Sequence, residues 1–545
     1  MSLLNKIKKP VVALTLAANA CVNPQGKEVE MKADGIISVQ EKRDLKRLIY
    51  EWDIVDENNL FFRMFVNDQN EFVRRRLKQR NLKWKGLDGV FLDTVKDRKG
   101  LEGAYEHCTM GEELPDSYGA FNCYGTREIV MVEGDWRGFI NTFDHELGHD
   151  FNQIDGKKDV SEFPAEANRL YMIFNRIALD RDIGFMLSNY VFNSVPKETF
   201  ELKIGDIDKY NAAALGFFLA GNKFNGDLDL AANYIFNASE NEIRRFFNNE
   251  MKKHDGQNAQ QVWFDEVEKL LYSKGFKDYM AMLIQRNSDK ERKESDEVID
   301  YFKLRFLMTK IQVKHFNGYA VDGLQSKKRV MLEDLLRKGQ NYGFYNKRLR
   351  NLVVNELTKH YYYEAVALSD TAFLTNPQSL DVAIEKFEKI LKLNEIFPCE
   401  FDEFECTETY SNPRELHLNS FIELARAYNL RSFYLQNKED KDNAVDVVYA
   451  FLDKFYPIHP GAEVDYSAEK NGVLLTAKLL DILSLGYVIS INKYRSYNDE
   501  DALNDAKYFM EIYQRASCQN IKDEDLMKEC YAMHPKDYED YMNSQ

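Results

Sequence analysis

Two histidines one helical turn apart, with a glutamate directly after the first, stand in the stretch NTFDHELGHDFNQ (141–153). His145 and His149, at i and i+4, bring two imidazoles to one side of a helix, the arrangement two zinc ligands require. Glu146 sits beside them, in position to take a proton from water. An ordinary amphipathic helix whose polar face carries two surface histidines would show the same five residues. What separates the two readings is a third ligand. Residues 161–174, SEFPAEANRLYMIF, offer one: Glu162 as third ligand, with Glu166 one turn on to accept the other N–H of a ligand histidine. The fourth position is then left to water, as catalytic zinc sites require.

Both stretches read as helices able to hold these side chains. From Asp135, an N-cap, the apolar residues Trp136, Phe139, Ile140, Phe143, Leu147 and Phe151 form one packing stripe opposite His145 and His149. In the second helix Ser161 can cap and Pro164 is tolerated in the first turn. Phe163, Ala167, Leu170 and Phe174 form its packing stripe, and Glu162, Glu166 and Arg169 share another face.

Around these helices the chain changes character. Residues 38–85 carry helical spacing, DGVFLDTV and REIVMVEG (127–134) read as short strands between glycine-punctuated loops, and nearly everything from residue 135 onward reads as helix. REIVMVEG, directly before the histidine helix, is placed to pair with an extended substrate by strand addition, or to be an ordinary core strand. Three C-terminal segments, DVAIEKFEKILKLNEIFP, NAVDVVYAFLDKFYPIHPG and DALNDAKYFMEIYQRAS, share one design. They resemble the second helix of tetratricopeptide repeats. Their first helices would be HYYYEAVALSDTAFL, SFIELARAYNLRSFYLQ and GVLLTAKLLDILSLGYVIS, stacked as an α-solenoid because one hairpin cannot bury its apolar face alone. A plain helical bundle is the alternative.

The net charge of −16 over 545 residues argues against nucleic acid as a partner. At the N-terminus, lysines 6, 8 and 9 precede the apolar VVALTLAANA and the small-residue pattern Ala18-Asn19-Ala20, the three parts of a secretory signal. Cys21 follows at once, so the segment also resembles a bacterial lipoprotein signal, with membrane attachment only through a lipid on Cys21. The other six cysteines fall into neighbouring pairs, Cys108–Cys123, Cys399–Cys406 and Cys518–Cys530, which export would favour as disulfides.

HELGH followed by EFPAEANRL resembles the glutamate-liganded zinc metallopeptidases, the gluzincins, and within them the anthrax lethal factor and Pro-Pro endopeptidase group. The resemblance covers about 35 residues. It implies one zinc per chain held by His145, His149 and Glu162, with Glu146 as general base and Glu166 supporting a ligand. The connector from His149 to Glu162 is much shorter than in that group, and Asp155 stands where the group has an oxyanion-stabilising tyrosine. Tyr118, Tyr124 and Tyr171 are candidates to replace it. HELGHDFNQID also fits the metzincin pattern, in which Asp155 is the third ligand and Asn152 replaces a turn glycine.

The expected architecture is mainly α. A signal peptide (1–20) and a tether (21–37) lead to a small α+β zincin-like catalytic domain (38–200), a helical domain (201–340) and a tetratricopeptide-like region (341–545). The expected activity is that of an exported zinc metalloendopeptidase acting on peptides or proteins, with the repeats recruiting substrate or a protein partner. The alternative is a surface-anchored interaction protein whose metal site is structural or degenerate.

Overall fold

The β-branched and apolar runs around residues 91–95 and 128–132 pair into a small sheet, while the 3.6-residue periodicity that follows builds helices almost without interruption. The computed structural model describes residues 72–82, 91–95, 97–109, 111–115, 119–123, 128–132, 136–153, 162–179, 181–199, 207, 209–284, 289–374, 376–397, 413–455 and 470–518. Over these residues the protein is mainly helical, and it divides into two compact units, Met1–Val66 with Phe91–Phe143, and Asn67–Val90 with Asp144–Gln545. The signal peptide, the tether, Cys21, Asp155, Tyr118, Tyr124 and the Cys399–Cys406 pair lie outside the described residues, as do Cys530 and the side chain of Cys518.

Helix α1 (72–79) belongs to the second unit. The first unit holds strands β1 (Phe91–Val95), β2 (Ala120–Cys123) and β3 (Glu128–Val132), with helix α2 (Arg98–Thr109) between β1 and β2. Strand order is β1-β3-β2. β1 runs parallel to β3 in the register Phe91 to Glu128, and β2 runs antiparallel to it in the register Ala120 to Met131. Strand addition on β3 is therefore corrected: both its edges are already hydrogen-bonded, and the core-strand alternative holds. Strand β2 itself was not expected from the sequence. Leu101, Phe121, Cys123 and Val130 form a core closed by Tyr105 and Val132. Cys108 and Cys123 are joined as a disulfide, one of the three expected pairs, tying α2 to the end of β2.

The second unit takes up the chain within helix α3 (Trp136–Gln153) and continues through α4 (Glu162–Leu179), α5 (Arg181–Asn193), α6 (Tyr210–Lys223) and α7 (Leu228–Asn237). Helix α4 packs on α5, α6 and α7. Helix α6 is apolar all round and its residues Ala212–Gly221 are all buried, as expected of a core helix. Helices α8 (Glu240–Met251), α9 (Ala259–Tyr272), α10 (Lys274–Ile284), α11 (Asp289–Phe316) and α12 (Asp322–Tyr342) extend the core, with Trp263 and Phe302 fully buried.

Six further helices, α13 (Lys347–Leu374), α14 (Ser379–Ile396), α15 (Pro413–Leu435), α16 (Lys438–Phe455), α17 (Lys470–Tyr497) and α18 (Glu500–Cys518), cover the segments read as hairpins. They pair consecutively as α13 with α14, α15 with α16 and α17 with α18, and the first helix of each hairpin packs on that of the next. No described helix is long and apolar enough to cross a membrane.

Candidate metal centre

Helices α3 and α4 approach each other closely because a glycine stands at their contact. A Cβ added at Gly148 would lie 2.4 Å from the Ala165 Cα and 2.7 Å from the Pro164 carbonyl oxygen. Helix α6 closes on α4 in a similar way, since a Cβ on Gly216 would run into the Phe163 ring, next to Glu162. The stripes expected from the sequence are buried: Ile140, Phe143 and Leu147 on α3, and Phe163, Ala167, Leu170 and Phe174 on α4.

Polar contacts fix the register. Arg176 of α4 donates twice to Asp144 of α3, Nε to Oδ2 at 3.0 Å and Nη2 to Oδ1 at 2.5 Å, with both side chains fully buried. Asn168 Nδ2 donates to the Asp144 carbonyl oxygen at 2.7 Å. These two contacts locate the residue before His145 relative to the helix that carries Glu162.

The result is a single cluster. His145, His149 and Glu162 each offer one ligand atom, and these atoms lie within 4.8 Å of one another. His145 Nε2 is 3.1 Å and His149 Nε2 3.7 Å from Glu162 Oε2. On the far side of the ring, His145 Nδ1 is 3.7 Å from Glu166 Oε2. Arg169 donates to Glu166 Oε1 in a short contact, and the Ser194 hydroxyl of α5 donates to the same oxygen at 3.4 Å. Both histidines and Glu146 are buried. The reading of two histidines on a wet helix face is therefore excluded, because no solvated face exists there.

Electrostatics favour a cation. Burial alone would lower His145, but the Glu162 and Glu166 carboxylates outweigh it and hold the imidazole up at about 9. Burial and the charge of His145 push its neighbour His149 well below the usual range. Burial pushes Glu146 up to about 7, with His145 opposing and Glu162 adding to the rise. Glu166 is held below the usual carboxylate range because Arg169 and His145 overcome its burial. Among protein groups alone, three carboxylates thus converge on two imidazoles that cannot both be charged.

The residues fit zinc. The donors are two imidazole nitrogens and a carboxylate oxygen, the set found in open catalytic sites. Glu162 Oε2, the atom that the Nε2 atoms of both histidines approach, is buried without a well-aligned hydrogen-bond partner, as expected of an oxygen oriented toward a cation. Glu162 is the most exposed of the three, so the site opens on its side.

One expectation needs revision. Tyr171 is fully buried and its hydroxyl donates to Asp229 Oδ1 at 2.7 Å, while Arg76 donates to that hydroxyl at 3.1 Å. It belongs to a buried network of α1, α4 and α7 and cannot meet substrate. The tyrosine beside the site is instead Tyr210, at the start of α6, whose ring lies 5.1 Å from that of His145. Sequence reasoning missed it, as it missed the Asp144–Arg176 pair. No short-range spacing marks either.

Comparison with protein-family models, curated proteins and solved structures found no match for the chain.

Proposed function

We propose that the protein is a zinc-dependent metallopeptidase. The observation that carries this is the buried convergence of His145, His149 and Glu162, with Glu146 beside them and a supporting carboxylate behind His145. Zinc bound by such a set lowers the pKa of water to about 7 and polarises a carbonyl group. The chain's own residues do the rest. Glu146 accepts a proton from the attacking water and passes it to the amide nitrogen as the C–N bond breaks. Glu166, fixed by Arg169, faces the far side of the His145 ring, where a carboxylate can accept the N–H of a metal-bound imidazole.

The surrounding chain is read in the same way. The α3–α4 core is that of a zincin-like domain, and α13–α18 form an α-solenoid whose stacked hairpins recruit substrate or a protein partner. The Cys108–Cys123 disulfide supports export, followed by release or by anchoring through a lipid on Cys21.

The test is zinc content and cleavage of a mixed peptide library by residues 22–545. Wild type should bind one zinc and cleave. Glu162→Ala should lose the metal, and Glu146→Gln should keep it while cleavage falls by roughly 10²–10⁴. One zinc in both wild type and Glu162→Ala would move the third ligand to Asp155. A zinc-loaded wild type that cleaves nothing would return the chain to a surface interaction protein with a structural metal.

A further inference from the structure

Helix α12 rests on the rest of the second unit by a narrow stripe. Its buried residues are Leu332, Leu335 and Gly339, three and four apart along one face of a helix of 21 residues. Beside that stripe the helix leaves a groove against α11 and the junction of α9 with α10. Three cavities of about 370, 290 and 810 Å³ open along it, and Asp300 and Lys338 line all three, so they form one continuous trough. On α12 the lining runs from Ser326 to Tyr342. At 1.5 Å per residue that is about 24 Å, the length of roughly seven residues of extended chain.

We propose that this groove binds an extended acidic peptide segment that also carries an apolar side chain. The proposal does not depend on the metal site, whose residues take no part in the groove. A small molecule would fill one of the cavities; the length of the trough fits a chain.

The two ends of the groove differ in chemistry. At the α10 end Lys274, Lys277, Lys303 and Lys338 stand against Asp296 and Asp300, four cations to two carboxylates in a chain of net charge −16. Lys277 pairs with Asp296 at 2.7 Å, and Lys338 with Asp334 at 3.1 Å and Asp300 at 3.7 Å. Lys274 and Lys303 form no ion pair among the described residues. Lys303 lies instead over the Tyr272 ring, 4.6 Å from its centre. Carboxylates of another chain would complete these two cations.

The other end is apolar, lined by Leu335, Tyr342, Phe344 and Leu349. Glu297 holds its wall in place by accepting from the backbone N–H of Tyr345 at 3.1 Å and of Asn346 at 2.6 Å. Tyr272, Val330 and Tyr342, all of which line the trough, are 51%, 67% and 69% exposed. Large apolar side chains left in water and rimmed by charge mark an interaction surface, and tyrosine is a frequent anchor there. A nucleic acid is disfavoured, because the unpaired cations sit at one end only and the net charge of the chain repels a polyanion.

The test is selection of displayed random octapeptides on the full chain, carrying Glu146→Gln so that no bound peptide is consumed. Enriched sequences should combine Asp or Glu with a large apolar residue. One of them, labelled with fluorescein, is then titrated by anisotropy. Lys274→Glu with Lys303→Glu should weaken binding about tenfold or more, whereas Lys274→Arg with Lys303→Arg should leave it unchanged. Affinity should also fall as salt rises from about 0.05 to 0.5 M. Tyr342→Ala should weaken binding by roughly 3–10-fold with the same salt dependence. Thermal melts check that each variant folds; the salt series and Tyr342→Ala keep both lysines and decide the matter where the reversal variant unfolds. Selection without acidic enrichment, or a folded reversal variant of unchanged affinity, would overturn the proposal. So would tighter binding of single-stranded oligonucleotides or phosphatidylserine vesicles that the reversal abolishes, which would assign the groove to a nucleic acid or a membrane.

Discussion

In α3 and α4 the buried side chains include Asp144, His145, Glu146, His149, Glu166, Asn168 and Arg176. In α13–α18 they are chiefly Leu, Ile, Val, Ala and Phe, such as Phe387, Phe421, Phe451 and Phe509. Several charged groups that are buried in the hairpins pair with partners that water reaches. Lys386 meets the half-exposed Glu364, Lys493 meets Asp442 and Asp440 meets Arg431. In the Asp144–Arg176 pair both side chains are fully enclosed. A buried ion pair is a poor means of gaining stability, since desolvation offsets most of the attraction. The hairpins avoid it and stack; the site region retains it. The contrast indicates that charge in α3 and α4 is kept to hold a cluster in place, at a cost carried by the apolar packing around it.

The largest effect should come from breaking that pair. Arg176→Leu leaves Asp144 buried and uncompensated, and should destabilise the second unit by about 3–5 kcal/mol in urea unfolding. The double replacement Asp144→Leu with Arg176→Leu removes both charges and should recover most of that loss. If the pair serves the site, the double variant will be stable yet will bind zinc more weakly than wild type. Recovery of both stability and zinc affinity would show the pair to be a structural residue of packing alone.

A smaller loss is expected at the glycine contact. Gly148→Ala places a methyl group against backbone atoms of Pro164 and Ala165, which no side-chain rotation can relieve. Overpacking of this kind costs about 1–3 kcal/mol. Because the helices forced apart carry the proposed ligands, zinc affinity should fall by roughly 10–100-fold, comparable to loss of a supporting contact. Gly339 in α12, which seats the Phe344 ring, is the control: Gly339→Ala should lower thermal stability without altering zinc binding.

Much of this was legible in the sequence, and the difference between regions explains what was not. The histidine pair, Glu162 and the buried stripes of α3 and α4 follow from spacing within one helix, where side chains three and four apart share a face. The six hairpin helices were visible for the same reason. Strand β2 has four residues, all buried, and so shows no alternation between faces. The central place of β3 depends on pairing with two segments distant in sequence. Tyr210 is one of 31 tyrosines, and only the folding of α6 against α4 brings it to His145. Local periodicity was readable; side-chain meetings across helices were not.

The same comparison turns on histidine. His145 is raised to about 9 despite burial because carboxylates surround it, whereas His417 in α15 is lowered to about 3 by burial and by Lys454. His417 lies among Phe421 and Phe455, with Nδ1 buried and without a hydrogen-bond partner. It is therefore neutral in the folded hairpins, while in the unfolded chain it takes up a proton near pH 6.5. A histidine lowered in the folded state contributes nothing to a pH dependence above about 6.5. As pH falls from there towards 3 the unfolded state binds the extra proton, and stability declines by up to about 1.4 kcal/mol per pH unit. At pH 5 the loss is on the order of 1–2 kcal/mol. His417→Leu keeps the apolar contacts and removes the group that titrates. Thermal melts of the two proteins should differ more at pH 5 than at pH 7.5, with the variant losing less on acidification. Parallel declines would mean that water or a carboxylate reaches His417 in solution, and the hairpins would then share the polar character of the site region.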